Sequence, residues 1–314
     1  MCKENDITRV GAVCNSNSRR VFENAELCAQ FLRDFSDIQI FKDVKPEDIT
    51  DETKTYQAYL GIEFETDTVK RINVKSDTGT PVYLIALLEH KSRVDYDVVI
   101  QLLRYITCIW DDYAKKNSDK SKTKGYKYPL VIPIVYYEGK ENWTADMQLK
   151  DRVFMADLFE EYIPNFRYKL IHNRKYTNDE LLANNDEISV FMMLNKIQTA
   201  EDMKDFLRDE YKDRFNSILE NASEQTIKIL MDVMWSLCMR LNFPQDEAES
   251  YVESVGGRSM GYLFENMDKL DIQAERRNTA RERERADAEK ERADAAEAEN
   301  AILRRQLEEL LAKK

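Results

Sequence analysis

Two hydrophobic rhythms alternate along the first half of the chain. Val21, Leu27, Phe31, Leu32 and Phe35 recur at helical spacing and predict a helix over residues 19–35. Residues 38–49 (IQIFKDVKPEDI) read as a loop or short strand with a turn at Pro46. Tyr56, Ala58, Leu60, Ile62 and Phe64 then alternate with period two, as a half-buried strand does. Arg71–Lys75 (RINVK) alternates likewise, and Tyr83–Leu88 (YLIALL) is a continuous apolar run of the length of a strand buried on both faces. Between those two, Ser76-Asp77-Thr78-Gly79 supplies turn residues, so the pair is expected to form a hairpin. Asp95 can cap a helix running to about Tyr113, with Val98, Leu102, Tyr105, Ile109 and Tyr113 on its apolar face. Pro129–Tyr137 (PLVIPIVYY) is a buried, central strand in which Pro133 fits best at a bulge or near an end. The predicted order is αβββαβ.

Beyond this core, residues 142–185 carry no clear rhythm. Val190, Met193, Leu194 and Ile197, then Ile227, Leu230, Met234 and Leu237, predict several packed helices up to about Gln245, with the methionines filling core; Gly256-Gly257 breaks the pattern. From Asp271 the chain is almost entirely Ala, Glu, Arg, Lys and Asp, then Leu. Positions 293, 296, 300, 303, 307 and 310 follow a 3–4 spacing as Ala, Ala, Asn, Leu, Leu and Leu, with Asn300 at an a position. This predicts a short coiled coil joining two copies into a homo-oligomer, a dimer; a solvated single helix is the competing reading. The expected organisation is a frayed, disordered polar stretch at 1–18, a core at 19–150, a mixed then mostly helical region at 151–270, and a charged coiled-coil helix at 271–314.

Composition narrows the chemistry. The net charge of −12 argues against a general nucleic-acid coat, although the signs are unevenly distributed. Five widely spaced cysteines without a CxxC read as reduced thiols, not a disulfide or zinc framework. Two histidines leave little room for His-ligated zinc or for Ser-His-Asp catalysis. The first ten residues, MCKENDITRV, lack the apolar core of a signal peptide, and no stretch has the apolar length of a membrane span, so a cytoplasmic location and no membrane partner are expected.

The hairpin brings candidate chemistry together. If its turn is centred near Thr78, antiparallel partners have numbers summing to about 156, which sets Asp67 opposite Glu89. Glu89 and Lys91 share a strand face by alternation, so Asp67, Glu89 and Lys91 are expected side by side at one end of the hairpin. Two neighbouring carboxylates are costly without a cation between them. Magnesium binds through one or two carboxylates and keeps waters for substrate phosphate, and a nearby lysine can orient or deprotonate the attacking water. On spacing alone the plainer reading, Glu89 and Lys91 as a solvated strand end and Asp67 as a loop acid, is favoured, and Asp77 rivals Asp67 but sits where the turn is expected.

With these residues the sequence resembles the recombination-promoting nuclease and putative transposase family, a branch of the PD-(D/E)XK nuclease superfamily. The match lies in Thr66-Asp67-Thr68-Val69-Lys70-Arg71, Leu88-Glu89-His90-Lys91-Ser92 and Val94-Asp95-Tyr96-Asp97. It continues through Gln101-Leu102-Leu103-Arg104-Tyr105, Ile109-Trp110 and Tyr128–Tyr137, and covers roughly residues 20–150. The resemblance implies an α/β, restriction-endonuclease-like αβββαβ core with a helical C-terminal region. It also implies an active-site trio of Asp67, Glu89 and Lys91, with Asp67 and Glu89 as ligands of Mg2+ or another divalent cation. Glu26 on the first helix is a further candidate metal contact.

Gln101 and Tyr105 lie four apart and share a helix face. They are similar to the Gln-x-x-x-Tyr helix that lines the active site in several nuclease branches. Gln101 would then position a phosphate or base edge, Arg104 touch the DNA backbone and Tyr105 stack or hold water; ordinary packing on the sheet is the alternative for all three. Lys115–Lys127 (KKNSDKSKTKGYK) holds six lysines against one acid. Lys115, Lys116, Lys120, Lys122 and Lys124 are thus candidates to grip DNA phosphate without sequence preference, or simply a solvated loop. The function these features point to is a magnesium-dependent DNA endonuclease, hydrolysing phosphodiester bonds in DNA recombination, mobile-element biology or defence against foreign DNA. The alternatives are an inactive nuclease fold that binds DNA or protein through its coiled coil, and a three-acid transposase, which the Glu-x-Lys strand ending disfavours.

Overall fold

A computed structural model of the protein describes residues 18–52, 68–75, 81–241 and 243–266, with the backbone alone for 74–75, 81–90, 200, 201, 204 and 263. The expected strand at Tyr56–Phe64, Asp67, the turn with Asp77, the N-terminal residues 1–17 and the helix at 271–314 lie outside the described residues. Contacts group Met1–Phe264 into one compact unit and Glu265–Lys314 into a second.

Residues 18–23 are helical, and Asn24 then caps helix α1 (Ala25–Phe35) by accepting the Leu27 N–H at 3.0 Å. Three strands follow: β1 (Ile49–Asp51), β2 (Thr68–Lys75) and β3 (Pro81–Lys91). Helix α2 (Val98–Lys116) crosses over to β4 (Leu130–Tyr137), and β5 (Lys169–His172) comes later. The described elements run helix, three strands, helix, strand, but the first of these strands, β1, lies at the end of the stretch read as loop or short strand and is not the expected strand at Tyr56–Phe64. The chain is mixed α/β, with most of its residues beyond β5 helical.

The five strands lie in chain order across one sheet, antiparallel from β1 to β3 and parallel from β3 to β5. The hairpin register agrees with the sequence arithmetic: Thr68 pairs with Leu88 and Lys75 with Pro81, each pair summing to 156. Pro133 departs from expectation, sitting inside β4 opposite Leu87. β5 pairs with β4 only from Ile134 onward, so at Pro133 one side of β4 is still an edge, where the missing N–H costs no ladder bond.

Period-two alternation sorts β4 between two layers. Val131 and Val135 join Val98, Val99, Leu102, Tyr105, Ile106 and Ile109 of α2, together with Val69 of β2, in one buried cluster. Tyr136 points to the other layer, edge-on to Phe22 and Phe31 with ring centroids 5.5 Å from each. That second layer is closed by α1 and by helix α3 (Glu187–Lys196), whose residues 187–195 are all buried. β5 completes the sheet and α3 packs on α1. A helix buried on every side must pair its polar groups. Glu187 accepts from the Gln30 amide at 2.5 Å, and Asn195 donates to Glu138 just past the end of β4. Among the described residues no helix is long and apolar enough to cross a membrane.

Candidate active site

The candidate residues gather where β3 ends and α2 begins. Glu89 and Lys91 occupy the last turns of β3's ladder, opposite Val135 and Tyr137 of β4. The Glu138 N–H closes the ladder by donating to the Lys91 carbonyl at 2.9 Å. The chain leaves the sheet through residues 92–97 and re-enters helix at Val98, so Gln101 stands in the first turn of α2. The local fold thus returns Gln101 to Lys91: the Lys91 ammonium donates to Gln101 Oε1 at 2.9 Å. On its other side it pairs with Asp95 Oδ2 at 2.8 Å, and only 16% of the Lys91 side chain is exposed.

Asp95 is therefore a member of the site, not the helix cap its position suggested; Asp97 holds the cap position. Burial alone would push the Asp95 carboxyl up, but the Lys91 ammonium and the Asp97 N–H, which donates to Oδ1 at 2.9 Å, together hold it below its ordinary value. Sequence periodicity had no means of finding this role, because loop residues carry no face. Around the same corner Arg152 bonds Asp97 at 3.2 Å and approaches Asp146 at 3.9 Å, while the Tyr96 hydroxyl meets Thr144 Oγ1 at 3.0 Å. These contacts fasten residues 144–152 to the start of α2.

Behind the strand end stands an aromatic wall. The Tyr137 ring lies 4.9 Å from Trp143 and 4.7 Å from His172, and Trp143 Nε1 donates to the Tyr168 hydroxyl at 2.7 Å. Burial raises the Tyr168 phenol to about 12, against the opposing pull of the Trp143 hydrogen bond, so it stays a neutral wall group. The Tyr137 ring also covers Gly139, where any Cβ would collide with it. His172 Nε2 bonds the Gly139 carbonyl at 3.0 Å, and burial holds its ring below the usual histidine value.

The other predicted residues separate. Arg104 is exposed on α2, as a backbone-touching residue must be, whereas Tyr105 is 1% exposed within the α2 cluster and offers no ring face for stacking on a base. Glu26 turns away from the site, accepting from Ser223 Oγ at 2.9 Å and Thr226 Oγ1 at 3.2 Å. α2 runs three residues further than expected, placing Lys115 and Lys116 on its last turn, each paired at 2.8 Å with the aspartate four residues before it. Lys120, Lys122 and Lys124 are exposed beyond the helix. All five lie at the far end of the sheet from Lys91, because α2 runs back along the strands.

What the described part of this corner can do is hold an ammonium rigidly at a strand end, between a carboxylate and an amide, open on one side to solvent. As to a metal, Asp67 lies outside the described residues and Glu89 is described by its backbone. Among the described residues no three carboxylate, histidine or cysteine side chains converge as a cation site would require. Oxygen ligands of the Asp and Glu type nonetheless suit a hard cation such as Mg2+.

The chain is similar to known proteins in two comparisons. It is 24% identical over 119 residues to the "Recombination-promoting nuclease RpnC" of Escherichia coli (strain K12), a match covering 38% of this chain and 37% of that protein. The chain thus spans little more than a third of that relative's length. No solved structure matches. The model of the family described as "Putative transposase, YhgA-like" matches residues 19–226, taking in every described strand, the Lys91–Gln101 corner and α3. The chain belongs to the YhgA-like transposase family.

Proposed function

We propose that the protein is a metal-dependent DNA endonuclease in which Asp67 and Glu89 hold Mg2+ or another divalent cation. One observation carries the reading: Lys91 is fixed at 2.9 Å from Gln101 and 2.8 Å from Asp95 at the end of the strand that also bears Glu89. The described pairing supports the place of Asp67, since the residue after it, Thr68, pairs with Leu88, the residue before Glu89. When bound, the cation would polarise the scissile phosphate and lower the pKa of a coordinated water. The chain's own residues do the remainder. Lys91 presents positive charge where negative charge develops on the phosphoryl oxygens as the phosphorus is attacked, pre-oriented because Gln101 and Asp95 hold it from two sides. Gln101 holds Lys91 through its carbonyl and positions a phosphate or base edge beside it. Arg104 reaches outward to the DNA backbone. The name of the RpnC relative supports a recombination-related role for a cytoplasmic enzyme of this kind.

Residues 271–314 are proposed to pair two copies through the seam ending at Leu310, so that each copy cuts one strand of a duplex. The test of the first proposal is nicking of supercoiled plasmid with magnesium present. Wild type should nick; Lys91→Ala and Glu89→Ala should not, with unchanged circular dichroism. Equal activity in all three proteins would end the reading. Removing 271–314 should halve the mass measured by light scattering, and an unchanged mass would end the second proposal.

A further inference from the structure

The end of the sheet opposite Lys91 carries a feature that phosphodiester cleavage does not use. Leu84 pairs with Leu130 there, seven residues before the Lys91–Tyr137 pair, so the two ends stand about 20 Å apart at ~3.3 Å per strand residue. At that end Trp110 and Tyr113 of α2 meet Tyr126 and Tyr128 from the connection to β4. Ring centroids are 5.9 Å apart for Trp110–Tyr128, 6.1 Å for Tyr113–Tyr126 and 5.2 Å for Tyr126–Tyr128. Four aromatic rings so close would ordinarily seal a core, yet Trp110 is 38% and Tyr128 51% exposed.

The cluster is held rigid. Trp110 Nε1 donates to the Pro129 carbonyl at 2.9 Å and the Tyr126 hydroxyl to the Tyr113 carbonyl at 3.4 Å, so the ring planes are fixed before anything binds. Lys120, Lys122, Lys124 and Lys127 lie on the connection that carries Tyr126 and Tyr128, all exposed, and among the described residues none is within salt-bridge distance of a carboxylate. In a chain of net charge −12 this is a local reversal of sign.

We propose that this surface binds single-stranded DNA, with unpaired bases stacking on Trp110 and Tyr128 and phosphates meeting Lys122, Lys124 and Lys127. Aromatic rings interleaved with lysines are the combination that single strands select, because every base offers a π-face and the backbone offers charge. A duplex buries its base faces and would use the lysines alone, leaving the rings in water. A membrane surface would call for the indole N–H at the headgroups, and here that N–H is already spent on Pro129. The proposal goes beyond the cleavage reading and does not depend on it, since it requires neither metal nor Lys91.

The experiment measures fluorescence anisotropy of labelled oligo(dT) against the full chain carrying Lys91→Ala, with EDTA present so that nothing is cut. Tyr128→Ala and Trp110→Ala should each weaken binding by about 5- to 100-fold, the range of one stacked base. Trp110→Phe, which keeps a ring, should recover part of that loss and control for folding. Lys122→Glu with Lys124→Glu should flatten the salt dependence. Duplex of equal length should compete poorly. Unchanged affinity in both alanine variants would overturn the proposal, as would equal competition by duplex, or binding to anionic vesicles but not to oligo(dT). Plasmid nicking by wild type is scored separately: its absence alongside ring-dependent oligo(dT) binding would remove the cleavage reading and leave this one standing.

Discussion

Lys91 and Glu138 are joined by one backbone hydrogen bond at the same end of the sheet, yet they belong to two different kinds of polar cluster. Lys91 looks toward α2, where a carboxylate and an amide hold it and solvent reaches it. Glu138 is 7% exposed on the helical side, where Ser18 Oγ donates to it at 3.2 Å and the Asn195 amide closes over it. Both clusters set a charge against an amide. The difference is access: the Glu138 cluster is closed over by Ser18 and by Asn195 of α3 and holds the layers together, while the Lys91 cluster has a side open to solvent. Hydrogen-bonded charge alone therefore does not mark a site; the side left open does.

The sharpest way to break this comparison is Lys91→Ala. If the open cluster is catalytic, nicking should fall by about 10²-fold or more, the scale of losing a preorganised charge-stabilising group. The melting temperature should barely move, because the partly exposed pair with Asp95 is worth only about 1 kcal/mol. Asn195→Ala should do the reverse. Leaving the buried Glu138 without its amide donor costs about 1–3 kcal/mol of stability in a urea titration, with nicking per folded molecule unchanged. Both variants losing stability alike would mean that the two clusters are one scaffold.

Gln101→Ala should give a smaller effect than Lys91→Ala, about tenfold in rate, because Asp95 still holds the ammonium. A loss as large as that of Lys91→Ala would move Gln101 into direct contact with the reacting phosphate.

The smallest effect concerns pH. Burial first, and then the neighbouring Asp34, raise the Asp186 carboxyl from 3.8 to about 7, against the pull of Ser189. A folded value above the unfolded one means that the fold keeps a proton the unfolded chain releases. The contribution is full below pH 3.8 and is lost as pH rises through about 7. The melting temperature of the wild type should accordingly drift down across that window. Asp186→Asn, which preserves the cap on Ser189, should remove the drift. A parallel drift in both proteins would assign it to other groups.

Much of the frame was legible because it repeats. Turn residues at 76–79, alternation before them and a continuous apolar run after them were enough for a register that holds over all eight described pairs of the hairpin. Helical spacing located α1 and α2. Lys91 and Gln101 were singled out by residue type and resemblance, and the fold brings them into contact. Other features left no trace in periodicity. β5 has four residues, too few for a rhythm, and was lost in an unreadable stretch. Asp95 sits in a loop, where spacing carries no direction. Tyr105 shows the opposite limit: the spacing that put it beside Gln101 also fits the core stripe, and packing chose the stripe. The lysine run was visible, but its place at the far end of the sheet followed only from the parallel crossover through α2.

One bare position has an unexpected reach. The Tyr137 ring rests in the space that any side chain at Gly139 would fill, and Tyr137 is the strand neighbour of Lys91. A single methyl added there would shoulder the ring aside and disturb the rear of the amine's seat from a residue with no side chain of its own. The emptiness at that spot is as much a component of the Lys91 corner as the groups that line it.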